Sequence, residues 1–71
     1  MAGTPALPAT EPQIRAIYAV AMGSLGMSSR AVDDECRDKF GATPLMMTRL
    51  EASHAVDWFA KGMLDEQEEE G

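Results

Sequence analysis

Three times along the chain, a hydroxyl residue able to start a helix is followed 13 to 16 residues later by a glycine able to stop one. The pairs are Thr10 with Gly26, Ser28 with Gly41 and Thr48 with Gly62. This punctuation limits each segment to three or four turns. In the first segment, Thr10 can cap free backbone N–H groups, Gln13 can return the bond, and Pro12 is tolerated in the first turn. Ile14, Ile17, Tyr18, Ala21, Met22 and Leu25 then recur at the spacing of one helical face. The pattern predicts a helix over 11–25, ended by Gly26 in a left-handed cap.

Ser28 restarts the chain, with Met27 placed to staple onto Val32. Val32, Cys36 and Phe40 recur every four residues, which predicts a second helix over 29–40. Its polar faces offer Arg30–Asp34, Asp33–Arg37 and Glu35–Lys39 as opposite charges one turn apart. Residues 42–47 read as a bend carrying Pro44 and the apolar trio Leu45, Met46 and Met47, of which the methionines suit core gap-filling or an adaptable surface. Thr48 and Glu51 then form a capping box, and Ala52, Ala55, Val56, Phe59 and Met63 line a third helix over 49–62. No segment alternates as a strand would, so the expected fold is all-α, a compact three-helix bundle. Residues 1–9, rich in Pro and Ala, read as a flexible leader or linker with little to bury. The domain is expected over 10–63, and residues 64–71 read as an acidic, disordered tail.

At 71 residues the chain has room for one domain, whose core supplies about 3–5 kcal/mol of net stability. The net charge of -6 is local: five of the twelve acids fall within residues 65–71, leaving the rest one charge from neutral. Such a body lacks the clustered Lys and Arg that displace counterions from phosphates. Cys36 is the only cysteine, which excludes an internal disulfide and suits a reducing cytoplasm. Met1–Thr10 has no basic residue and no long apolar run, so it does not read as a secretory signal, and no stretch is long enough to span a bilayer.

No pattern of residues points to catalysis, a cofactor or a metal. Asp33, Asp34, Glu35 and Asp38 spread around a helix rather than converging as hard-metal ligands must. His54 and Cys36 are single copies on different helices, short of a zinc ligand set. Gly23-Ser24-Leu25-Gly26 lacks the strand and third glycine of a dinucleotide loop and the lysine of a phosphate loop. What stands out is the side of the first helix away from its apolar stripe. There Ala16, Ala19, Val20 and Gly23 occur where a solvated helix carries Lys and Glu, with Arg15 the one nearby charge. A smooth, small-residue face admits a partner helix or a second copy; the alternative is that a small bundle wraps this side into its core. Leu50 and Trp58 also fall off the stripe of the third helix, and Trp58 is the second docking candidate.

Thr10-x-x-Gln13-x-x-Ala16-Ile17-Tyr18, a Gly-Met-Ser turn, Phe40-Gly41 and Leu50-Glu51-Ala52-Ser53-x-x-Val56-Asp57-Trp58-Phe59 follow one another in order. This arrangement resembles the small helical module at the C-terminus of phage and bacterial single-strand annealing recombinases of the Erf and RecT kinds, and of related phage replication proteins. The likeness covers about residues 10–60. It implies an accessory domain that recruits a partner such as a recombinase, an exonuclease or a single-strand DNA-binding protein, or that assists DNA contact. The chain departs from the full proteins in having no annealing core, and it lacks a basic face. It reads either as an excised domain whose leader is a linker remnant or as a free-standing phage-type protein.

The leading expectation is therefore a non-catalytic recruitment module of a DNA recombination or replication system. A second reading is a small acidic inhibitor or DNA mimic acting on a host nucleic-acid enzyme, motivated by the run Asp65–Glu70. A third is weak single-stranded DNA binding through Arg15, Arg30, Arg37, Arg49 and Lys61, with Tyr18 or Trp58 stacking on bases.

Overall fold

The computed structural model describes residues 7–64. The leader up to residue 6 and the acidic run from residue 65 lie outside the described residues. Three helices form, α1 (Glu11–Leu25), α2 (Ser29–Phe40) and α3 (Arg49–Ala60), with a 3₁₀ turn over Pro44–Met46 between α2 and α3. The all-α expectation holds, and α1 and α2 begin and end where the sequence places them. No helix among the described residues is long and apolar enough to cross a membrane.

The starts are capped as the side chains require. The Gln13 N–H donates to Thr10 Oγ1 at 3.2 Å while the Thr10 N–H donates to Gln13 Oε1 at 3.0 Å. Ser28 Oγ accepts from the Ala31 N–H at 3.1 Å. Thr48 and Glu51 repeat the reciprocal box, at 3.1 and 2.9 Å. Each bond satisfies a first-turn donor that has no partner within its own helix. The third helix ends two residues short of the expected 62. The Gly62 N–H donates to Phe59 O and the Met63 N–H to Trp58 O, and Gly62 takes φ +75°, the left-handed value that closes such a helix end.

The core comprises Ile17 and Ala21 from α1, Val32 and Cys36 from α2, Ala52, Ala55 and Phe59 from α3, and Met47 from the connection. Every helix thus sends two or three residues of its stripe inward, at the spacing read from sequence. Stripe residues at the margins, Tyr18, Leu25, Phe40, Val56 and Met63, are half-buried against this core. Met22 departs from expectation: it is 44% exposed. The connection is less of a loop than its composition suggests, since both Pro44 and Met47 are buried.

The leader, too, enters the fold earlier than expected. The Ala9 N–H donates to Met47 O at 3.1 Å and the Arg49 N–H to Leu7 O at 2.7 Å, pairing Pro8 with Thr48 in an antiparallel bridge. Residues 7–9 therefore hold the entrance of α3 and are not a free linker. The outward edge of this bridge cannot recruit another strand through its donors. Pro8 has no N–H, and the Thr48 N–H already donates to Glu51. Gln13 adds a third tie, its Nε2 donating to Arg49 O at 3.2 Å, so the first turns of α1 and α3 are joined side by side.

Candidate functional site

The expected docking face of α1 is divided by the fold. Ala19 and Gly23 are exposed, whereas Ala16 and Val20 are half-buried. Val20 packs against the core, which places it in the bundle rather than on a free surface. Ala16 opens onto a shallow groove of about 640 Å³ between α1 and α3, lined also by Pro12, Gln13, Ser53, His54, Val56, Asp57 and Ala60. No atom lies within 4 Å of where a Cβ at Gly23 would stand. The core reading thus holds for Val20, while Ala19 and Gly23 stay on the surface.

Trp58 has its polar and apolar needs met within the molecule. Its ring is half-buried against the core, its indole Nε1–H donates to Glu35 Oε2 at 3.0 Å, and Lys39 Nζ sits 4.1 Å from the ring centroid. The geometry is that of a tie between α2 and α3, reinforced by a cation–π contact. Tyr18 does the same between α1 and α2, its phenol donating to Asp33 Oδ1 at 2.5 Å. Burial first, then this hydrogen bond and the Asp33 charge, push the Tyr18 phenol up to about 12.

Two of these tertiary bonds engage acids that the sequence pairs within α2. Among the described residues Arg30–Asp34, Asp33–Arg37 and Glu35–Lys39 do not form. Asp33 accepts from Tyr18, Glu35 accepts from Trp58, and Arg37 turns to Asp34 at 3.8 Å instead. That last pair is exposed on both sides and contributes little.

The candidate DNA contacts are distributed over all three helices: Arg15 on α1, Arg30 and Arg37 on α2, Arg49 at the start of α3, and Lys61 just past its end. All are exposed. Arg37 and Lys61 each face an acid of their own segment, Lys61 at 2.8 Å from Asp57. The two candidate stacking rings, Tyr18 and Trp58, are the ones engaged inside the bundle.

Cys36 is fully buried, and burial together with the charges of Asp33 and Glu35 pushes its thiol up to about 11. A thiol so placed stays protonated and unreactive near neutral pH. His54 is exposed on the groove rim. Among the described residues, no three His, Cys, Asp or Glu side chains are grouped so as to hold a metal ion.

The bend trio and the off-stripe Leu50, noted in the sequence but not ranked first for docking, include the most exposed large apolar side chains. Leu64 past the end of α3 is 69% exposed; nearer its start Leu45 is 71% exposed, Met46 75% and Leu50 66%. The chain gathers the last three around the entrance of α3, Leu45 and Met46 on the 3₁₀ turn and Leu50 in the helix's first turn. Leu7, 51% exposed, is brought to the same end by its bond from the Arg49 N–H. The readable signal was the apolar Leu45-Met46-Met47 run, but only packing reveals that Met47 goes inward and its two neighbours outward. No family model, curated protein or solved structure matches this chain. The likeness to recombinase modules therefore rests on the sequence motif alone.

Proposed function

We propose that this chain is a non-catalytic protein-interaction module of a DNA recombination or replication system, docking a protein partner through exposed apolar side chains. The observation that carries the docking part is the exposure of Leu45, Met46 and Leu50 at one end of a bundle whose core is built largely of smaller residues. Large apolar side chains left exposed close together in the chain support a surface that a partner covers. The exposed part of the α1 face, Ala19 and Gly23, serves as a second contact area, beside the half-buried Ala16 and Val20. The recombination context comes from the sequence resemblance, which supplies the partner class: a recombinase, an exonuclease or a single-strand DNA-binding protein.

The test is affinity capture with the tagged chain, read by mass spectrometry. Wild type is expected to retain a protein of that class. The triple variant Leu45→Glu, Met46→Glu, Leu50→Glu is expected to lose it, with helical circular dichroism unchanged. Burying one such side chain is worth about 2 kcal/mol, so losing even two weakens binding by roughly three orders of magnitude. Equal capture by wild type and variant would remove this surface from the account. A matching set, Ala19→Glu with Gly23→Glu, asks the same of α1.

A further inference from the structure

We draw no further inference here: the strongest candidate, the open groove between α1 and α3 around Ala16, Val56 and Ala60, is an unpartnered, mainly apolar face, and nothing in the structure shows what covers it.

Discussion

Gly23 and Gly62 show how differently one residue type acts at two places. Gly23 lies inside α1, with open space where a side chain would stand, so it contributes only backbone freedom to be lost on folding. Gly23→Ala should therefore raise stability by about 0.5–1 kcal/mol, read as a higher urea midpoint. Gly62 sits at φ +75°, and Gly62→Ala should lower stability by about 1 kcal/mol. Effects of the same sign at both sites would refute this reading. Tyr18 and Cys36 carry the second residue-scale prediction. Both are held protonated in the fold, the phenol raised from 10.0 to about 12 and the thiol from 9.0 to about 11. Their contribution is intact below the unfolded values and is lost as pH climbs through the folded ones. Thermal melts should thus fall progressively between about pH 9 and 12. Tyr18→Phe and Cys36→Ala, though less stable near neutrality, should each show a shallower decline. Parallel pH profiles for wild type and both variants would contradict the assignment.

At the scale of the helix, Thr48 has two tasks, capping α3 and pairing with Pro8. Thr48→Ala removes the cap oxygen while leaving the backbone bridge, and it should cost about 1 kcal/mol in chemical denaturation. A loss of a few tenths or less would mean that the leader alone holds the helix start. The caps are also where the sequence was most legible, because Thr10 with Gln13, Ser28, and Thr48 with Glu51 are local devices whose partners lie within one turn. The core stripes were legible for the same reason: Val32 and Cys36, or Ala52, Ala55 and Phe59, share a face whatever they pack against. What could not be read depends on distant partners. Nothing near Leu7 in the chain announces Arg49, and nothing near Trp58 announces Glu35, 23 residues away. Asp33 and Glu35 bond to the half-buried rings of Tyr18 and Trp58 instead of their expected partners within α2, whose exposed charge pairs are worth only a few tenths of a kcal/mol. The small-residue face of α1 was legible as spacing, but not the packing that half-buries Ala16 and Val20 while leaving Ala19 and Gly23 exposed.

For the molecule as a whole, the large apolar side chains divide between a buried core and an exposed set. Phe59 is the largest fully buried residue, in a core that it shares with residues of α1, α2, its own helix and Met47 of the connection. Phe59→Ala costs about 3–5 kcal/mol, as much as a domain of this size has in hand. The variant should be largely unfolded at 25 °C by circular dichroism, and a cooperative melt close to wild type would show that the core is not shared by all three helices. Elsewhere the bundle leaves Leu45, Met46 and Leu50 exposed, and we propose that a protein partner covers them. Contact through apolar area persists in salt, whereas contact through charge, as a nucleic acid or an acidic mimic's target would make, collapses. The decisive measurement is capture of the partner by the full chain at about 0.15 M and about 1 M salt. Retention of a recombinase, exonuclease or single-strand DNA-binding protein at both concentrations, abolished by the Leu45, Met46 and Leu50 glutamate variant, is the predicted result. Release of the partner at high salt, or retention by that variant, would contradict it.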